Sequence, residues 1–243
     1  LPIATRVILH MHKVLMSAGD GEASSPGQFR RQSVRVGKLA PPLAPEIAEL
    51  MGALEQYINL PSDLPSLIRA GLVHVQFETI HPFLDGNGRV GRLLIVLMLI
   101  TNKLLDLPVL YPSYYFKKNR AEYYDRLDRV RTHGDFEGWI LFYLRGIRDS
   151  ALDAYQRIKD IEQLEHQLIG KIRSDAAFAK TTDTAAAAIN YLFTQPVTSI
   201  SQMSSAIGKT HNTTQSILAK LIALGCVSTA SSQKRNRLYQ FDA

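Results

Sequence analysis

The sequence predicts a mainly α fold in two parts: a larger helical domain carrying a small β-hairpin, then a smaller domain of three helices and a second hairpin. Three observations predict it. Apolar residues recur at three-and-four spacing in most segments between residues 5 and 173, the period of a helix with one buried face. Within that stretch, Ser33-Val34-Arg35-Val36 alternates with a period of two that suits a strand. After a polar break at 174–182 the pattern turns to shorter helical segments closed by two strand-like runs. With 243 residues, 46% of them hydrophobic, the chain can bury one good core and a small second one.

The elements follow in order. Thr5 to Met16 reads as a helix with Val7, Ile8, Met11, Val14 and Leu15 on its apolar face. A Gly/Ser/Pro-rich loop leads into residues 29–37, where the alternation suits a strand. Glu46–Ile58 and Ser66–Ile80 read as helices, the second running through Leu67, Ile68, Leu72, Val75 and Phe77. Pro82 biases His81 away from helical backbone, so that helix ends at or before His81. The next begins near Gly88 and continues through the apolar block Leu93–Ile100. Tyr111–Tyr124 is rich in aromatics, and Trp139–Ile147 reads as a core helix. Asp149–Arg173 is longer, with Leu152, Tyr155, Ile158, Ile161, Leu164, Leu168 and Ile172 on one stripe. It serves as a connector, as a homodimer seam, or as a helix packed back on its own domain; the spacing alone leaves these open.

In the last part, Asp183–Phe193 and Ile200–Ile207 read as helices, Gly208-Lys209-Thr210 as a turn, and His211–Leu224 as a third helix closed by Gly225. Cys226–Thr229 and Arg237–Phe241 are strand-like and flank a polar, basic loop, Ser231–Asn236. Charge collects here: residues 176–243 carry +4 of the total +6, from Lys180, Lys209, Lys220, Lys234, Arg235 and Arg237 against Asp183 and Asp242. The domain boundaries expected are therefore 1–148, a connecting helix 149–175, and 176–243.

Composition removes several classes. Cys226 is the single cysteine, so no internal disulfide is available and a reducing, cytoplasmic setting is expected. The longest apolar run, Leu93–Ile100, is far short of the roughly 20 residues that span a bilayer, and no signal peptide is visible, so no membrane partner is expected. The chain opens at Leu1 without Met, as expected of a fragment, a processed form or the ordered part of something longer.

The chemistry is concentrated in residues 81–92, His-Pro-Phe-Leu-Asp-Gly-Asn-Gly-Arg-Val-Gly-Arg. Gly86 and Gly88 allow positive φ and close approach of backbone to a ligand. The first-turn N–H groups of the helix that follows lack intrahelical acceptors and sit at the positive end of its dipole, which makes an anion site. Arg89 and Arg92, three apart, share a face of that turn and can grip phosphate oxygens in pairs. Asp85 is a hard oxygen ligand of the kind that holds Mg²⁺ beside phosphates. His81 can accept a proton near neutral pH. Singly, each has a plain structural explanation: a turn, a solvated helix face, a packed histidine. In this order, at the entrance to a buried helix, they describe a site for a nucleoside triphosphate. His74, two turns before His81, reads as a packed or surface histidine in preference to half of a metal pair.

The run resembles the signature of the Fic domain family, His-Pro-Phe-x-(Asp/Glu)-Gly-Asn-Gly-Arg-x-x-Arg, and matches it at every specified position. The resemblance implies transfer of AMP from ATP to a Ser, Thr or Tyr hydroxyl of a protein, with release of pyrophosphate. It implies His81 as general base, with Asn87 stabilising charge at phosphorus and Arg89 also among the catalytic groups. Asp85 would hold Mg²⁺. The nucleotide would be held by Gly86, Asn87, Gly88, Arg89, Val90, Gly91 and Arg92. Gln76, five residues before His81, could face the site. Lys118-Asn119-Arg120-Ala121-Glu122-Tyr123-Tyr124 is similar to the family's adenine-pocket border, implying Tyr123 and Asn119 there. Pro26-Gly27-Gln28-Phe29-Arg30 looks like the family's lead-in to a flap, at about 26–37, that aligns an extended target peptide by strand addition. UMP transfer, phosphocholine transfer and AMP removal are alternatives on the same fold. The kinase-like branch carries Lys where Gly88 stands, which argues against it, and a His/Asp metal hydrolase on His81 and Asp85 lacks further ligands. Many relatives carry an inhibitory Ser/Thr-x-x-x-Glu-(Gly/Asn) helix; the sequence contains none, so it is expected upstream of Leu1 or on another chain.

The last part resembles a winged helix-turn-helix domain, a familiar companion of this family. That resemblance implies a recognition helix bearing His211, Asn212, Thr213, Gln215 and Lys220, and a wing with Lys234, Arg235 and Arg237. DNA and protein are both open as its partner. The alternative function for the whole chain is a DNA-binding transcriptional regulator whose first domain senses nucleotide.

Overall fold

The computed structural model describes residues 2–17, 25–37, 39–230 and 237–242. Its order is α1 Thr5–Ser17, α2 Ile47–Asn59, α3 Ser66–Ile80, α4 Asn87–Thr101, α5 Pro112–Lys118, α6 Arg120–His133, α7 Phe136–Ser174, α8 Thr182–Thr194, β1 Val197–Ser199, α9 Ile200–Ile207, α10 His211–Ala223, β2 Val227–Thr229 and β3 Leu238–Phe241. The chain divides into compact units at residues 155/156, within α7.

In the first unit α3 and α4 pack as the central pair, with α1, α2 and α6 around them. The sequence suggested a one-sided α3. Instead α3 is enclosed nearly all round at its C-terminal end, burying Ala70, Gly71, Val73, His74, Val75, Phe77, Glu78 and Ile80, while Leu67, Ile68 and Leu72 are half-buried. Gly71 permits the close contact: a β-carbon there would lie 2.7 Å from the Tyr143 ring, and Trp139 Nε1 donates to the Gly71 carbonyl at 2.8 Å. α1 likewise buries a different face from the one expected. Ile8, His12 and Met16 point inward and Val14 is exposed.

Two further expectations change. Residues 33–36 form no strand; the described pairing there is the single bridge Val36–Leu39 around Gly37, whose φ is 59°. Alternation marks faces, but a strand also needs a neighbour for its N–H and C=O groups, and none runs alongside among the described residues. Trp139–Ile147 and Asp149–Arg173 are not separate helices but parts of the continuous 39-residue α7, because neither proline nor a capping pair interrupts residues 136–174.

In the second unit the end of α7 contributes Leu168 and Ile172 to a core completed by Phe178, α8, α9, α10 and the sheet. The sheet is antiparallel in the order β1-β3-β2, pairing Thr198 with Tyr239 and Ser228 with Gln240. Ser199 caps α9 in a capping box with Gln202, and Gly208 closes it in left-handed backbone. The loop Ser231–Asn236, with Lys234 and Arg235, lies outside the described residues. No described helix is long and apolar enough to cross a membrane.

Candidate active site

α3 stops at Ile80 because His81 adopts left-handed backbone, φ 50° and ψ 60°, with its N–H bonded to the Phe77 carbonyl at 2.9 Å. A non-glycine residue held there costs on the order of 1–3 kcal/mol, so its surroundings must fix it. Arg30 does so. Its backbone N–H donates to the Pro82 carbonyl at 2.9 Å, and its guanidinium donates to the carbonyls of His81 (2.8 Å), Gln32 (3.0 Å) and Pro42 (2.7 Å). His12 makes the matching tie from α1. Its ring stacks on Phe83 at 3.8 Å, its Nε2 meets the Asp85 carbonyl at 3.1 Å, and its Nδ1 accepts from the Gly27 N–H at 2.9 Å.

Between them the loop turns into α4. Gly86 has φ 80°, and a β-carbon there would meet Met16 Sδ at 3.0 Å. Asn87 uses both ends of its amide on Phe83, donating to its carbonyl at 2.8 Å and accepting from its N–H at 2.9 Å. The Asn87 side chain therefore braces the loop. The first intrahelical bond of α4 is Val90 N–H to Gly86 at 2.9 Å, which leaves the amides of Asn87, Gly88 and Arg89 ahead of it without intrahelical acceptors, an arrangement suited to an anion. Val90 itself is core, its amide is spent, and Gly91 faces inward against Glu78 and His74. Neither offers a side of the turn to a ligand.

Two clefts meet here. The first, about 480 Å³, has Arg89, Arg92, Ser113, Lys117 and Arg120 on its polar side and Tyr111, Tyr114, Phe116, Tyr123 and Tyr124 on its aromatic side. Arg92 Nε donates to Ser113 Oγ at 2.9 Å. The second, also about 480 Å³, is lined by His81, Glu78 and Arg131, by Val36, Gly37 and Leu39, and by Leu127, Asp125 and Asp128 of α6. Arg120 and Tyr124 line both, the guanidinium lying 5.6 Å from the ring centre. His81 thus opens on one cleft while the arginine pair opens on the other.

The electrostatics suit a proton acceptor beside an anion site. Burial is the main cause that pushes His81 down to about 4; the Glu78 carbonyl opposes it, Arg30 and Arg131 add to it, and Asp85 opposes it. The ring is therefore neutral at physiological pH. Asp85 is exposed, accepts from the Gly86 N–H at 2.6 Å, and pairs loosely with Arg89 at 3.4 Å. No group of three or more His, Cys, Asp or Glu side chains gathers for a metal among the described residues. A lone outward carboxylate still fits Mg²⁺ held chiefly by phosphate oxygens and water.

Other expected residues fall elsewhere. Gln76 is exposed and lines neither cleft. Asn119 joins α5 to α6, its side chain donating to the Tyr115 carbonyl at 3.0 Å, and lines a hollow that shares Tyr111 and Tyr114 with the first cleft. Tyr123 reaches the first cleft, but it is buried and its hydroxyl is bonded to His74 Nε2 at 2.9 Å. His74 is thus a packed residue. The open aromatic faces belong to Tyr111, Tyr114 and Tyr124. The Tyr-rich run signalled them; the lead-in run included Arg30 without its bracing role, and nothing local in the sequence signalled Glu78.

Residues 2–99 match the model of the Fic/DOC family. They form a Fic/DOC family domain. Proteins named "Protein adenylyltransferase Fic" share similar sequence. That of Drosophila willistoni is 33% identical over 157 residues, 64% of this chain and 30% of that protein. That of Drosophila ananassae is 31% identical over 176 residues, 72% of this chain and 33% of that protein. The chain spans about a third of the length of these curated relatives. Among solved structures, a Fic family protein from Desulfovibrio desulfuricans G20 covers 99% of this chain and 69% of its own length at 22% identity and a TM-score of 0.55. Fic-1 of C. elegans, residues 134–508, covers 65% of this chain and 44% of its own at 25% identity and a TM-score of 0.52. Both solved structures share the helical fold of this chain.

Proposed function

We propose that the chain transfers AMP from ATP to a hydroxyl of a protein. The observation that carries this is neutral His81 lining one cleft, with the Arg89–Arg92 pair lining the next. The name of the Drosophila relatives points the same way. The triphosphate lies along the amides of residues 87–89, its outer phosphates on Arg89 and Arg92, its base against the tyrosine wall. A target hydroxyl enters beside His81. Its oxygen attacks the α-phosphorus as its proton passes to a ring nitrogen of His81; the bond from the α-phosphorus to the bridging oxygen breaks, and pyrophosphate leaves with the electron pair. Mg²⁺ held through Asp85 would supply charge neutralisation on the phosphates. The protein's own share is positioning and charge stabilisation. The target strand lies against Val36–Leu39, the remnant of the expected flap. Incubation with ATP labelled at the α or, separately, the γ phosphate tests this: AMP transfer puts only the α label on protein, and label from γ alone would overturn it in favour of a kinase.

For residues 176–243 we infer a winged helix-turn-helix module that binds DNA. The order α8-β1-α9-α10-β2-β3 with β3 central supports it. His211, Asn212 and Gln215 stand exposed on α10, Thr213 is half-buried, and Arg237 is exposed beside β3. Lys220 does not join them: it donates to Thr181 Oγ1 at 3.1 Å and lies over Phe178. Duplex affinity of the full chain should fall steeply with salt and weaken in Asn212→Ala. Absence of binding at low salt would favour a protein-docking module.

A further inference from the structure

Glu78 stands one turn before His81 on α3 and is buried to 6% exposure, yet its Oε1 has no hydrogen-bond partner. It is wedged under the phosphate-binding turn. A β-carbon on Gly91 would come 2.7 Å from that oxygen, and one on Gly88 would come 3.8 Å from it and 3.0 Å from Arg92 Nη1. Arg92 and Glu78 therefore flank the same point of α4. On its other side Arg131 donates to the Glu78 main-chain carbonyl at 3.2 Å and to Thr79 Oγ1 at 3.2 Å. Glu78 also lines the cleft that holds His81. An uncompensated carboxylate in such a place is costly, so its charge must answer to the cations beside it.

We propose that Glu78 is a positioning residue that competes with the triphosphate for Arg92, and that it takes up a proton when the nucleotide binds. This rests on the nucleotide reading given above. While ionised, the carboxylate draws Arg92 towards α3; the phosphates bring negative charge to the same guanidinium, and the carboxyl answers by becoming neutral. The groups facing Glu78 are His74 on α3, Arg92 on α4, Tyr123 and Arg131 on α6, and His81. Burial, the largest cause, raises Glu78 to about 7, with Arg92 and Arg131 opposing it. His74 and His81 are pushed down to about 4 and burial drives Tyr123 far up, so across pH 6 to 8.5 Glu78 is the member of this set that titrates. The sign follows. Below about 7 Glu78 is already neutral and costs the nucleotide nothing. Above it, binding must add a proton, so affinity falls as pH rises. Each unit by which binding raises Glu78 corresponds to about a tenfold loss of affinity between the acid and alkaline limits.

The test is calorimetry of the full chain with Mg²⁺ and α,β-methylene ATP, which cannot release AMP, in two buffers of different ionisation enthalpy. The wild type is expected to take up a proton fraction that grows from near zero at pH 6 towards one at pH 8.5. Glu78→Gln, which copies the neutral carboxyl, is expected to keep tight binding at pH 8.5 and to lose that uptake. Because both proteins meet the same ligand, titration of the ligand's own phosphate cancels in the difference. If Glu78→Gln does not fold, wild-type uptake alone decides: none at pH 8.5 beyond the ligand's own overturns the proposal. Equal uptake in the two proteins overturns it as well. Failure of the wild type to bind the analogue at any pH would overturn the nucleotide reading and this inference with it.

Discussion

Arg30→Ala removes a guanidinium from the point where the lead-in segment, the end of α3 and residues 32–42 converge. The side chain is 3% exposed and makes three close contacts to carbonyls, at 2.7 to 3.0 Å. A hydrogen bond from a charged group contributes about 1.5–3 kcal/mol, but these share one guanidinium and the truncated site lets some carbonyls regain water, so about 3–5 kcal/mol is the expected total loss. That is a large share of the roughly 5–15 kcal/mol that holds a domain folded. The effect should also reach the chemistry, because His81 sits in strained backbone that Arg30 braces. Urea unfolding followed through the fluorescence of Trp139, the single tryptophan and fully buried, measures the first part. Transfer at saturating ATP measures the second. Arg30→Lys should recover part of each, since an ammonium can reach some of the same carbonyls but not as a fork. A loss below about 1 kcal/mol with transfer unchanged would refute the reasoning.

Gly91→Ala gains about 1 kcal/mol of helix propensity but puts a methyl 2.7 Å from Glu78 Oε1 and 3.1 Å from His74 Nδ1, so a net loss of roughly 1–2 kcal/mol is expected in the same unfolding assay. Because His81 is held near 4, transfer at saturating ATP should stay level from pH 7.5 down to about 5.5; a halving near 6.5 would mean an ordinary, exposed imidazole. His74 and His81 bind protons near 4 when folded but near 6.5 when unfolded, so the stability they contribute is present above 6.5 and is lost as pH falls towards 4. Unfolding midpoints measured across that range should drop on the acid side.

Much of this architecture was legible because it is written locally. Pro82 and the apolar run of residues 67–80 end α3 at Ile80, and Gly208 and Gly225 mark the limits of α9 and α10. What depends on a distant partner was not. β1 is three residues long and exists through its pairing with β3, some forty positions away. The alternation at 33–36 carries no ladder, because nothing local says whether a neighbour will be there. The motif named His81, Asp85, Arg89 and Arg92, and the structure puts all four around the two clefts or the loop between them. Asn87 turns its side chain to the loop, while Val90 and Gly91 pack inward, which the motif does not tell. His12 was hidden as a polar residue on the face made by Ile8 and Met16, visible only once α1 is turned to bury it. Arg30 and Glu78 act through burial, and burial of a charge has no signature in a single sequence.

The most direct measurement of the central claim is α-labelled ATP with Mg²⁺ given in parallel to the wild-type chain and to His81→Ala, with nucleotide binding measured on both. The account predicts label on protein with the wild type, its loss in His81→Ala, and closely similar nucleotide affinity in the two. Substantial label carried by His81→Ala would contradict it.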